Sequence, residues 1–109
     1  MILITGSILA TATTVEEARS LSLAHVRRSR TEDGCLHHAV HVDAENPMRL
    51  VFVEHWRDKA AVLKHFADPD ARGFAAAVRK LGCKTTIEIF EASEIGVGGL
   101  TSVSYTHLT

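Results

Sequence analysis

Cysteine is scarce: Cys35 and Cys83 are the only two in 109 residues. They form no C-x-x-C pair, and two thiols so far apart do not make a zinc site, so both are expected as reduced, partly buried thiols. A basic excess is also missing. Twelve Lys and Arg stand against 13 Asp and Glu, for a net charge of −1, which leaves nothing to draw in nucleic acid. No apolar run approaches the ~18–20 residues that span a bilayer, so no membrane partner is expected. Met1-Ile2-Leu3-Ile4-Thr5 lacks a basic n-region and a cleavage site, so no signal peptide is read and the expected location is the cytoplasm. The hydrophobic fraction of 46% excludes disorder as the main state, and the length fits one domain with a small core.

What is present has a clear rhythm. Residues 2–10 alternate as a strand, with Ile2, Ile4, Ile8 and Ala10 on one face and Gly6 bare, where a neighbour can come close. Thr13 or Thr14 starts a helix that carries Glu16 and Glu17 in its first turn. It runs to about Arg30 on a stripe of Val15, Ala18, Leu21, Ser22, His25 and Val26, and Asp33-Gly34 stops it. Residues 35–43 form a second strand with Leu36, His38, Val40 and Val42 on one face and His37, Ala39 and His41 on the other. After the turn Glu45-Asn46-Pro47, residues 48–57 form a third strand, antiparallel to the second. Asp58 caps a short helix over 59–67 bearing Ala60, Val62, Leu63 and Phe66, whose wheel turns His65 away from the Ala60, Leu63 and Phe66 stripe. Asp68-Pro69-Asp70 breaks it, and Pro69 opens a helix over 69–81 with Phe74, Ala77, Val78 and Leu81 on one side. Residues 83–92 form the last strand.

The order β-α-β-β-α-α-β is the ferredoxin-like α+β plan, a four-stranded antiparallel sheet with its helices on one face. The second and fourth strands are then its edges. Cys35 and Cys83 begin these strands, roughly 14 Å apart and beyond disulfide reach. The third strand is apolar on both faces, with Leu50, Phe52 and Trp56 on one and Val51 and Val53 on the other. Since helices cover one face only, the open face is expected to pair with a second copy in a homodimer. Residues 1–95 form the domain and 96–109 a flexible tail after Gly96-Val97-Gly98-Gly99. The tail's last residues, Ser102 to Thr109, read either as translated sequencing-adapter sequence or as an ordinary frayed terminus.

Several side chains could carry chemistry. Glu54 and Trp56 share a strand face that should be buried, and a buried carboxylate beside an aromatic wall marks a site. His25 lies mid-stripe on the first helix, facing the sheet. His37, His38 and His41 resemble a metal cluster, but His37 and His41 are ~13 Å apart along the strand and His38 points the other way, so no metal site is expected there.

Over residues 1–93 the chain resembles the antibiotic biosynthesis monooxygenase superfamily. The resemblance rests on Gly34-Cys35, on Val53-Glu54-His55-Trp56 ending the third strand, and on Leu63-Lys64-His65-Phe66 followed by Asp68-Pro69 and Phe74. It implies a dimeric α+β barrel with a cavity between sheet and helices. It also implies oxygenation of quinol- or polyketide-type aromatics by O2 without flavin, haem or metal. Such chemistry needs a base to form the substrate anion and a dry apolar slot. His65, His25 and Glu54 are the candidate catalytic residues, and Trp56, Phe52, Phe66 and Phe74 the candidate slot. Relatives include haem-degrading enzymes and an isomerase of a phosphorylated sugar. The latter would want a basic cluster at the cavity mouth. The haem branch needs an Asn on the first strand, which residues 1–10 lack. Where many members carry a second His after the Asp-Pro step, this chain has Asp70.

Overall fold

A computed structural model describes residues 1–100. Its elements are β1 (Ile2–Leu9), α1 (Val15–Ser29), β2 (Cys35–Asp43), β3 (Asn46–Trp56), α2 (Lys59–Ala67), α3 (Pro69–Lys80), β4 (Lys84–Glu91) and a single 3-10 turn, Gly98–Leu100. The strands form one antiparallel sheet in the order β2-β3-β1-β4, so the ferredoxin-like α+β expectation holds. Cys35 and Cys83, both free thiols, lie at opposite edges. The part of the expected tail from Thr101 onward lies outside the described residues.

The register sets side chains in rows on the helix side of the sheet. Val40, Phe52, Gly6 and Ile87 make one row, His38, Glu54, Ile4 and Ile89 the next, and Trp56 pairs with Ile2 beyond it. Burial follows this alternation: Leu50, Phe52, Glu54 and Trp56 are all buried, whereas Val51, Val53 and His55 on the other face are half-buried. One bulge shifts the start of β2. Cys35 pairs with Trp56 and His37 with His55, so Leu36 has no partner. Cys35 therefore packs in the Trp56 cluster, and Leu36, expected beside His38, is exposed.

Local signals account for the helix ends. The Asp58 carboxylate accepts from the Ala61 N–H at 2.9 Å and opens α2. Asp68 accepts from the Asp70 N–H at 2.8 Å, and Pro69 takes the first position of α3. Thr14 precedes α1 without a side-chain cap, its hydroxyl accepting instead from the Thr11 N–H. Gly34 has φ of +86°, and a Cβ there would lie 2.5 Å from that of Ala61, so the turn into β2 requires glycine twice over. On α1 the buried stripe is Ala18, Ser22, His25, Val26 and Ser29. Its two serines satisfy their hydroxyls on the Ala18 and His25 carbonyls at 2.6 and 2.7 Å.

The stripe expected on α2 is overturned. Ala61, Val62 and His65 face inward, whereas Ala60, Leu63 and Phe66 are exposed. With nine residues, the helix offers two apolar arcs, and docking on β3 selects the one holding the imidazole. α1 lies over β2 and α2 over β3, and α3 rests on α1 and α2. β4 is left uncovered, with all eight residues exposed, although Ile87 and Ile89 are on the helix side.

Candidate functional site

Two apolar clusters make the core. One holds Ile8, Val26, Leu50, Phe52 and Val78, the other Ile2, Ile4, Trp56, Ala61 and Val62. On the helix side a row with polar side chains on adjacent strands, His38 and Glu54, runs where the two clusters meet. Helices add His25 from α1 and His65 from α2, and all four side chains are buried. A cavity of about 410 Å³ ends on this group. Its walls include Phe52, Gly6 and Ile87 from the sheet, Phe74 and Val78 from α3, and the polar end His25, Glu54 and His65. Gly6 sits between Phe52 and Ile87 in its row, and the missing side chain hollows the floor there.

The polar contacts are specific. The Trp56 indole N–H donates to Glu54 Oε1 at 2.9 Å. The same oxygen lies 3.2 Å from His38 Nε2, off the line of a good hydrogen bond. His65 Nδ1 lies 2.9 and 3.0 Å from the two oxygens of Glu32. A carboxylate only accepts, so Nδ1 carries the proton; in the neutral tautomer the lone pair then falls on Nε2. Arg28 Nη2 donates to His25 Nδ1 at 3.0 Å, and the Arg28 Nε is 3.8 Å from Asp70. The His25 ring stacks on Phe74 with centroids 4.1 Å apart and planes at 9°. His65 lies against Trp56 with centroids 4.5 Å apart.

Burial pushes His25 down to about 3, helped by the nearby His38 and His65 rings and the Arg28 guanidinium, so it stays neutral. Burial acts to raise the Glu54 carboxyl, but His38, the Trp56 N–H and His65 outweigh it and hold its pKa below the usual carboxylate range.

Of the residues chosen from sequence, His65, His25, Glu54, Phe52, Phe66 and Phe74 all border the cavity. Trp56 does not; it is fully buried and stands behind His65 and Glu54. Two members were missed. His38 was set aside with His37 and His41, yet it turns inward while those two are exposed. Strand alternation separates it from them, and its pairing with Glu54 is the signal that would have found it. Glu32 lies in the loop after α1 and had no signal, because its partner is 33 residues away.

The sequence profile of the antibiotic biosynthesis monooxygenase family matches residues 1–77. The chain belongs to that family. The match includes His25, Glu32, His38, Glu54 and His65 and ends before β4. A solved structure from Deinococcus radiodurans, named as a candidate antibiotic biosynthesis monooxygenase, has a TM-score of 0.84 at 29% identity over 86% of this chain and 94% of that one. A second such protein, from Nitrosomonas europaea, shares the fold at 14% identity and a TM-score of 0.78, over 84% of this chain and 98% of that one. The uncharacterised Synechocystis sp. protein sll1783 is 30% identical over 94 residues, 85% of this chain and 64% of that protein. This family member therefore spans less than two thirds of that relative. No helix among its described residues is long and apolar enough to cross a membrane.

Proposed function

We propose that the protein is a cofactor-independent monooxygenase acting on a hydroquinone or polyketide-type phenol. The observation that carries this reading is the pair Glu32–His65: a carboxylate takes the Nδ1–H of a residue bordering an apolar cavity, so the neutral ring would offer its lone pair on the other nitrogen. In this mechanism His65 takes the phenolic proton. The resulting anion gives one electron to O2, the radical pair joins as a C–O bond, and the hydroperoxide loses water to leave a carbonyl. One oxygen atom enters the product and one enters water. Phe52, Phe74 and Phe66 flank the ring, and exclusion of water favours electron transfer over leakage. His25, with a pKa near 3, is too weak a base for the proton and serves as a stacked wall on Phe74.

The family's name supports oxygen chemistry; the substrate class is what the family resemblance implies, and the cavity's largely apolar lining agrees with it. We further propose a homodimer across the open sheet face, consistent with Phe90 of β4, which is exposed on that face. Sedimentation at micromolar concentration tests it, and a monomer there would rule it out.

The direct experiment is oxygen uptake by EDTA-treated protein with hydroquinones, naphthols and anthrones. Uptake above autoxidation with a carbonyl product, lost in His65→Ala, is the expected result. One observation favours a second reading. Arg72 and Arg79 border the cavity from α3, and neither has a carboxylate partner among the described residues. An anionic substrate, such as the phosphorylated sugar of an isomerase, would find its counter-charge there. Absence of oxygen uptake together with turnover of a phosphorylated substrate would select that reading.

A further inference from the structure

Three imidazoles from three elements meet at the inner end of the cavity. A ring nitrogen of each of His25, His38 and His65 lies within 4.8 Å of one on each of the others, and all three side chains are buried. His38 is the least explained of them. Its ring is 1% exposed, and neither of its nitrogens has a hydrogen-bond partner among the described residues. Leaving a buried polar group unpaired costs about 1–3 kcal/mol, so such a ring needs a reason. Glu54 Oε1 is 3.2 Å from His38 Nε2 yet off the hydrogen-bond line, so a carboxylate oxygen and a ring nitrogen stand side by side with no proper bond between them. That oxygen has a second lone pair, already engaged by the Trp56 N–H.

We propose that His25, His38 and His65 bind one divalent transition-metal ion of the zinc, nickel or copper class, with Glu54 Oε1 as the fourth ligand. Neutral imidazoles and a carboxylate are the donors such ions take. A tetrahedral ion with bonds of ~2.0–2.2 Å holds its donors ~3.3–3.5 Å apart, close to the His38–Glu54 separation. Binding requires the wider imidazole spacing, up to 4.8 Å, to close by ring rotation. The Glu32 carboxylate on His65 Nδ1 is the outer-shell partner that orients a metal-binding histidine. The cavity gives the ion a way in, since His25, Glu54 and His65 border it. Arg28 opposes binding, both as a cation and by donating to His25, and Asp70 is placed to hold its guanidinium when that bond is released. The site goes beyond the oxygenase reading and is independent of it. An ion on His65 takes the lone pair that proton abstraction needs, so the two states exclude each other.

The test is calorimetric titration of the untagged, EDTA-treated full chain with Zn2+ and Ni2+, with Co2+ absorption to report tetrahedral coordination. One ion per chain is expected at this site. Binding should vanish in His38→Ala, weaken about tenfold or more in Glu54→Gln, and tighten in Arg28→Met. It should persist in the double variant His37→Ala/His55→Ala, whose surface rings face each other at 5.1 Å and are the competing site. Circular dichroism checks that each variant folds; if His38→Ala does not, Glu54→Gln and His65→Gln decide. The proposal is overturned by no uptake in the folded protein, by loss of all uptake with the surface pair, or by unchanged binding in Arg28→Met.

Discussion

Glu32 grips His65 from a different part of the chain, placing both carboxylate oxygens within 3.0 Å of Nδ1 and fixing which ring nitrogen bears the proton. Glu32→Ala frees that tautomer choice and the ring's orientation. Oxygen uptake should fall roughly 10–100-fold in kcat with KM little changed, and Glu32→Gln, whose amide oxygen still accepts, should recover part of the loss. Equal losses in kcat and affinity would instead indicate a collapsed cavity.

Trp56 contributes by burial and by one hydrogen bond. Trp56→Phe keeps most of the ring but removes the N–H that Glu54 Oε1 accepts. A buried carboxylate that loses a donor should destabilise the fold by about 1–3 kcal/mol, read as a lower urea midpoint with an unchanged slope.

At the centre of the row Phe52–Gly6–Ile87 the β4 backbone comes close to β1. A Cβ on Gly6 would stand 2.9 Å from the Thr86 carbonyl oxygen. Gly6→Ala should shift β4 and cost about 1–3 kcal/mol. It should also raise KM for ring substrates, because the added methyl projects from the cavity floor. Thermal unfolding and oxygen uptake check the two effects separately.

His25 predicts a pH dependence in the metal-free protein. Its folded pKa of about 3 lies below the ordinary 6.5, so between those values the unfolded chain binds more protons. Stability from this group is then complete above about pH 6.5 and is lost as pH falls toward 3, with a slope of up to ~1.4 kcal/mol per pH unit. The facing charges and rings are Arg28 on its own helix, His38 on β2, Glu54 on β3 and His65 on α2; burial is the largest cause, His38, His65 and Arg28 add to it, and Glu54 alone opposes. Urea unfolding from pH 7 to 4 should show this slope, and His25→Gln should flatten it.

Local chemistry decided much that the chain displays. Strand alternation is a property of each residue and its neighbours, so the shared face of Leu50, Phe52, Glu54 and Trp56 was legible before any fold was known. The caps at Asp58 and at Asp68-Pro69 act within three residues and were equally plain. The bulge at Leu36 was not, because it answers to pairing with β3 rather than to anything in residues 35–37.

The sequence by itself determined the element order, the sheet faces, most of the helix limits and the presence of a Glu-Trp pair on a buried face, all of which follow from steric and hydrogen-bonding preferences over a few residues. Only the tertiary structure decided that His65 turns inward, since α2 has apolar side chains on two arcs and its packing partner makes the choice. Only it could bring His25, His38, His65 and Glu32 together from a helix, a strand, another helix and a loop. Proximity between residues distant in the chain is set by the packing of elements, and no local pattern carries it.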